Sequence, residues 1–528
     1  MIDLQVRWSL YFQRFSLLLA LIIFVWALSA CEGEAVTPPE PTLTASWTPL
    51  PSPTAELTPD DPTPTSRATT TPTAEPTATE TPQTGASPDV AALLFPQYTI
   101  STTLDYTRHQ LFVTEVISYP NTSGDILSEL ILVVQPNWYQ DTFRLRELTW
   151  GDDQPFYGYT LEGIQLQVPL VEPLLPGEVL RLSLEFELVL PPLLKSENFS
   201  PNPFGYSTRQ TNLVDWHPFV PPYQLGEGWL VHNPWYYGEH LVYPVADFDV
   251  TIRLVNAPES VFIAASALDE NEGDGDAHRY RLMAGRNFVW SASHLYQVLQ
   301  GQVGDVIVLG YVFVPDAEAG EAAFQATVEA FELYSRLYAP YPHGSLTMVE
   351  ADFDHGMEYQ GLFYLSKAFF STYTGSIGNY LISIAAHETA HQWWYGLVAN
   401  DQALEPWLDE AMCTYSERLY YEHLHPDSLD WWWTNRVDYY QPDGFVDVTI
   451  YNSEGYFPYR DAVYLRGAQF LEALRIEMGD EAFFAFLREY AAVNTNRLVT
   501  GADFFDLLEA RGGVDWRALR AVYFSKED

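Results

Sequence analysis

His387 and His391 stand four residues apart, with Glu388 beside the first, in the run Ala385-Ala386-His387-Glu388-Thr389-Ala390-His391-Gln392-Trp393-Trp394. On a helix that spacing stacks the two imidazoles on one face and leaves Glu388 just off it. Two imidazoles so placed can share a metal ion. A metal polarises a carbonyl and lowers the pKa of water towards neutrality, and a carboxylate within reach takes the proton as the water attacks. That is the chemistry of peptide hydrolysis. Three specified residues in five also recur by chance in helices that bind nothing, and a catalytic zinc needs a third protein ligand and one open position. The run Glu405-Pro406-Trp407-Leu408-Asp409-Glu410-Ala411 offers Glu410. The first helix would end near Gly396, a loop would cross Asn400 and Asp401, and a second helix beginning at Pro406 would bring the carboxylate back to the metal.

With eighteen residues between His391 and Glu410, this constellation resembles the M1 family of zinc aminopeptidases, the gluzincins that include aminopeptidase N. Upstream, His355-Gly356-Met357-Glu358-Tyr359 resembles the family's Gly-x-Met-Glu-Asn exopeptidase motif. Downstream, Val463-Tyr464-Leu465-Arg466-Gly467-Ala468 resembles its Tyr-Glu-Lys-Gly-Ala segment. The resemblance implies one Zn2+ per chain on His387, His391 and Glu410, with Glu388 as general base and Tyr464 stabilising the oxyanion. It also implies a substrate-binding stretch Gly356, Met357 and Glu358, in which Glu358 holds the free amino terminus of a peptide. His355 stands where the family has Gly, and Tyr359 where it has Asn. Two other readings compete. One is an endopeptidase with an open cleft, suggested by the expected absence of the helical C-terminal domain that many members carry. The other is a non-catalytic surface binding protein of the same fold.

These residues need elements to position them. Residues 91–304 hold short runs of β type between turn residues, such as 130–134, the alternating 180–186, and 248–254, which read as an antiparallel β-sandwich or saddle. Residues 305–528 change to helical periods after a strand at 306–313 and read as a thermolysin-like α+β, mainly helical, peptidase domain. Helices are expected at 318–337, 379–395, 406–421, 462–478 and 481–492. A strand at 346–350 leads to His355 and Gly356, where the backbone would form an edge to which substrate can add. Glu417, seven residues after Glu410, returns to the same helix face and could steady a ligating imidazole; an exposed carboxylate is the alternative, and Asp409 stands in the same position. His217, in a Pro- and aromatic-rich stretch, reads as structural.

At 528 residues, 47% hydrophobic and 15% aromatic, the chain can build two or three cores. A formal charge of −44 with three lysines leaves no basic stripe to neutralise phosphates, which excludes nucleic acid as a partner. At the N-terminus, Arg7 and Arg14 precede an apolar run over 17–28, then Ser29, Ala30 and Cys31. This reads as a secretory signal over 1–30, and Leu28-Ser29-Ala30-Cys31 resembles a bacterial lipobox in which Cys31 is lipidated. The apolar run is short for a spanning helix, which needs about 20 residues. Residues 31–90, rich in Pro, Thr, Ala and Glu, have too little to bury and read as an extended linker. The expectation is an exported enzyme anchored to the membrane by lipid on the extracytoplasmic side. Only Cys413 would remain for disulfide chemistry, so no intrachain bridge is expected.

Overall fold

A computed structural model describes residues 95–151, 154–193, 203–271, 276–512 and 515–525. The expected signal segment, Cys31 and the linker lie outside these residues. Among the described residues no helix is long and apolar enough to cross a membrane.

Alternation of buried and exposed side chains along Gln97–Asp105, Gln110–Pro120 and Val179–Val189 makes each strand one-sided. They pair within a six-stranded sheet whose order is Ala277–Gly285, Ala246–Val255, Gln97–Asp105, Gln110–Pro120, Val179–Val189 and Phe143–Trp150. Every pairing in this sheet is antiparallel except that of Gln97–Asp105 with Ala246–Val255, which is parallel. Among the described residues a three-stranded sheet, a four-stranded sheet and the two-stranded ribbon of Tyr223–Gln224 with Gly228–Trp229 make up the rest of this β-rich half.

A mixed five-stranded sheet joins the β-rich half to the helices. Its order is Tyr296–Val303, Val306–Phe313, Ser345–Ala351, Leu362–Ser366 and Met357–Tyr359. The turn at Gly304 and Asp305, where the expected domain boundary falls, is the tip of its first hairpin. Period-two alternation divides the sheet between two cores. Leu346, Met348, Phe363 and Leu365 pack into the helical core, whereas Val349, Ala351, Leu362 and Tyr364 pack into the β-rich one. Burial on both faces explains why Ser345–Ala351 is buried along its whole length. Met357–Tyr359 is the edge strand, paired antiparallel to Leu362–Ser366.

Against the other face lie helices at Ala317–Leu337, Tyr380–Ala390, Trp407–Leu424, Gly467–Met478 and Asp480–Val493. Asn379 caps Tyr380–Ala390 by accepting a hydrogen bond from the Leu381 amide at 2.9 Å. Ala385, Ala386 and Ala390 are fully buried, and their small size lets neighbouring helices approach closely. The helix stops at Ala390, short of the expected 395. The apolar pattern runs on through Trp393 and Trp394, but Tyr395 takes a φ of 121°, and the chain turns there. Arg286, 2% exposed, holds that turn from the β-rich half. It donates to the carbonyls of Tyr395 (2.8 Å), Gly396 (3.0 Å), Tyr243 (3.2 Å) and Arg497 (3.1 Å).

Replacing Arg286 by Met would remove the donor to the carbonyls of Tyr395, Gly396 and Tyr243, at about 1–3 kcal/mol each where water cannot reach, whereas the Arg497 carbonyl keeps the Ala399 amide at 3.1 Å. Arg286→Met is expected to lower stability by about 3 kcal/mol or more, read as a fall in urea midpoint at unchanged slope. A midpoint within about 0.5 kcal/mol of wild type would show that the turn holds without it.

Candidate active site

His387 lies in the last turn of Tyr380–Ala390, and His391 is its C-cap, still in helical conformation. The spacing therefore works as expected although the helix is shorter. Glu410 sits in the first turn of Trp407–Leu424, where an anion favours the helix N-terminus. The three side chains converge. His387 Nε2 is 3.1 Å from Glu410 Oε2, His391 Nε2 is 3.2 Å from His387 Nε2, and His391 Nε2 is 3.5 Å from Glu410 Oε2. Two ligands about 2.05 Å from a tetrahedral zinc stand about 3.3 Å apart, so this triangle has the right size.

The donor chemistry fits as well. Glu417 Oε1 lies 2.9 Å from His387 Nδ1, and the Trp394 carbonyl lies 3.1 Å from His391 Nδ1. Nδ1–H donation to these acceptors leaves each Nε2 of a neutral ring with a lone pair, aimed at its neighbour and at a carboxylate. Such a group of acceptors attracts a cation. Burial opposes charge on His387, yet its hydrogen bonds to Glu410 and Glu417 outweigh that and raise its pKa to about 9, so a metal would displace the proton from Nε2 to reach this lone pair.

Glu417 is the imidazole's partner and not an exposed carboxylate. It is fully buried and also accepts from Ser383 Oγ, Trp432 Nε1 and both Nε and Nη2 of Arg436. Burial works against its charge, but Arg436 and His387 hold its pKa down at about 2. Asp409 has a different task. It accepts from Asn400 Nδ2 at 3.2 Å and Gln402 Nε2 at 2.7 Å, and the same Gln402 nitrogen donates to Glu358 Oε1 at 3.0 Å.

Glu388 is 4% exposed; burial pushes its pKa up to about 8, and its Oε2 has no hydrogen-bond partner among the described residues. Gly356 makes room for it, since a Cβ at position 356 would stand 2.0 Å from Glu388 Oε1. Glu358 faces the cleft from the edge strand. Met357 alternates to the opposite side, half-buried against the β-rich core, and does not line the cleft. Tyr464 Oη donates to Glu410 Oε1 at 2.6 Å from the π-helical turn Asp461–Arg466, which continues into Gly467–Met478. Such turns recur at functional sites. His217 is structural, paired with Glu115 inside the β-rich core at 2.9 Å.

The residue that sequence reasoning missed is Glu239. Its Oε2 is buried without a partner, and its carboxylate groups with those of Glu358 and Glu410, with ligand atoms within 4.8 Å of one another. Burial, reinforced by the negative charge of Glu358, raises its pKa well above the usual range. A cleft of about 450 Å3 collects Glu239, Glu358, Glu388, the three convergent side chains and Tyr464.

Residues 322–522 match the model of the peptidase family M1 domain. This segment is an M1 domain. Aminopeptidase M1 of Arabidopsis thaliana is 26% identical over 239 residues, covering 42% of this chain and 27% of that protein. Aminopeptidase N of Lactobacillus delbrueckii subsp. lactis is 28% identical over 208 residues, covering 34% and 23%. The chain thus spans about a quarter of the length of these relatives. An M1 zinc metallopeptidase from Deinococcus radiodurans superposes with a TM-score of 0.57 at 19% identity, over 82% of this chain and 95% of that one. The chain thus shares a fold with a solved structure over 82% of its length.

If Glu417 fixes the His387 ring, Glu417→Gln should weaken metal binding about tenfold to a hundredfold in competition against a chromogenic chelator. Unchanged affinity would mean that helix packing alone orients the imidazole.

Proposed function

We propose that the chain is a zinc aminopeptidase, releasing the N-terminal residue of peptides. His387, His391 and Glu410 would hold the ion. Zinc, when bound, supplies a Lewis acid that polarises the scissile carbonyl and makes water a nucleophile near neutral pH. Glu388, buried beside the ligands with an unpaired oxygen, takes the proton of the attacking water and hands it to the departing amine. Tyr464 Oη, whose one proton goes to Glu410 Oε1 in this structure, would turn it to the developing oxyanion, a contact stronger in the transition state than in the ground state. The relative from Deinococcus radiodurans, one form of which is bound to a Tyr-ser-ala substrate, supports a peptide in a cleft of this fold.

The observation that carries the aminopeptidase reading is the pair formed by buried Glu358 and half-buried Glu239, whose Oε2 is buried without a partner among the described residues. Two carboxylates without a cation of their own, beside the reacting centre, suit an α-ammonium, and a substrate anchored there presents its first peptide bond to Glu388. The edge strand Met357–Tyr359 adds backbone groups along which an extended peptide can lie.

Purified protein should carry about one zinc per chain, and Glu388→Gln should keep the metal while losing most turnover, because the general base is not a ligand. Glu358→Ala should lower kcat/KM on free-amine substrates by about tenfold to a hundredfold, the equivalent of a charge-assisted hydrogen bond of about 1.5–3 kcal/mol. It should leave slow cleavage of N-acetylated peptides nearly unchanged. Efficient wild-type cleavage of acetylated peptides would replace this reading with the endopeptidase.

The export signal and lipobox-like Cys31 support an enzyme working outside the cytoplasm on a lipid tether. Cys31→Ala should then release the protein from the membrane fraction or leave its leader uncleaved. Unaltered membrane association with unaltered processing would rule out the thioether anchor.

A further inference from the structure

The cleft that contains the buried acids also contains a cation at its other end. Tyr380 opens the helix that ends in His387 and His391, so it stands two turns, or about 10 Å, before His387 along the axis. Its hydroxyl meets that of Tyr440 at 3.0 Å, and the Arg460 guanidinium lies over the Tyr440 ring, 3.9 Å from its centroid. Arg460 is also one turn before Tyr464, about 6 Å along the chain's path. Glu358, by contrast, is grouped with Glu388 and His391, at the other end of the same helix. Arg460 and Glu358 both line the cleft, as do His387, His391 and Glu410.

Asp461 holds the guanidinium from one side. Both Nε and Nη2 of Arg460 donate to the single oxygen Asp461 Oδ1, at 2.9 and 2.5 Å. Nη1 makes no hydrogen bond among the described residues, and the side chain is 15% exposed. The planar fork is therefore preset, sandwiched near the rings of Tyr440 and Phe457, with a donor left for an acceptor in the cleft. Arg436, the other arginine lining the cleft, is already committed to Glu417 through two nitrogens.

Resting on the aminopeptidase reading, we propose that Arg460 receives the C-terminal carboxylate of a short peptide, so that the preferred substrates are free-acid tripeptides and tetrapeptides. An extended peptide advances about 3.4 Å per residue. Two or three residues beyond the scissile bond thus cover about 7 to 10 Å, of the same order as the axial rises of about 10 Å from Tyr380 to His387 and about 6 Å from Arg460 to Tyr464. An ammonium on Glu239 and Glu358 and a carboxylate on Arg460 select a zwitterion of that length. Longer chains lose the second contact.

The test uses the zinc-loaded full chain and compares X-Gly-Gly with X-Gly-Gly-amide, where X is the residue best released from aminoacyl arylamides. Wild type should favour the free acid about tenfold in kcat/KM, on the scale of one charge-assisted hydrogen bond. The ratio should fall towards one in Arg460→Gln and stay partway in Arg460→Lys. A wild-type ratio near one, or a ratio that survives in Arg460→Gln, would overturn the proposal. Calorimetry with Glu388→Gln gives the same acid-to-amide ratio as Kd values without turnover. A chain that released nothing from any arylamide would therefore fail the aminopeptidase reading, while the Kd ratio would still decide the role of Arg460.

Discussion

Five carboxylates, those of Glu239, Glu358, Glu388, Asp409 and Glu410, are gathered in one buried region, and their mutual repulsion is the constraint around which this site is built. Two unit charges 4 Å apart interact by about 4 kcal/mol at an effective dielectric of 20, so all five cannot ionise together. Burial lifts Glu388 and Asp409 to about 8, and raises Glu358 and Glu239 as well. Glu410 goes the other way, since His387 and His391 outweigh its burial and hold it well below the usual carboxylate range. On the proposed aminopeptidase reading, a metal dication and a substrate ammonium would bring three positive charges and let these carboxyls ionise, so that amine recognition and metal retention would draw on the same stored repulsion.

The fold tolerates this because the acids are fixed by neighbours of limited freedom. Glu417 accepts from a serine, a tryptophan, a histidine and an arginine, and so remains anionic at the back of the site while leaving His387 Nε2 free. Gln402 bridges Asp409 and Glu358 with one nitrogen. Gln392, next to His391, bonds the Tyr359 carbonyl and the Gly361 amide, tying the end of the ligand helix to the edge strand. The shared five-stranded sheet and Arg286 then join the helical core to the β-rich half, from which Glu239 comes.

Much of the site was legible in the sequence because its residues follow helical arithmetic. His387, His391 and Glu388 share one short helix, and Glu417 follows Glu410 at an interval of seven. Glu358 came from resemblance, and its place on an edge strand from the strand before it. Glu239 lay beyond this reach. It sits outside the regular elements, between Gly228–Trp229 and Ala246–Val255, where no periodicity marks a side chain's direction. The aromatic run ahead of it, Trp235-Tyr236-Tyr237, and the left-handed Gly238, at a φ of 68°, were the only local signals of a constrained turn. Arg460 was silent for another reason: its ring partner Tyr440 lies in a separate segment, and only the folded chain puts them together.

The departures from the family motif separate backbone demands from side-chain roles. At position 355 the φ is 75°, a left-handed conformation that glycine adopts freely and that costs other residues about 1 kcal/mol. The family's glycine there is thus explained by the backbone, and His355 keeps the same conformation despite the cost. Its ring instead lines the cleft, 5.4 Å from that of Tyr456. At position 356 the requirement is space, since Glu388 occupies the volume a Cβ would need. At position 359 backbone and side chain are both used: the carbonyl accepts from Gln392, a bond that any residue can provide, while the ring is buried in the β-rich core, 6.1 Å from that of Tyr364. A departure from glycine is therefore accommodated at 355, where strain is small and local, and at 359 the tyrosine ring is accommodated by the β-rich core. At 356 a Cβ would stand 2.0 Å from Glu388 Oε1, so the clash would fall on the carboxylate proposed as general base.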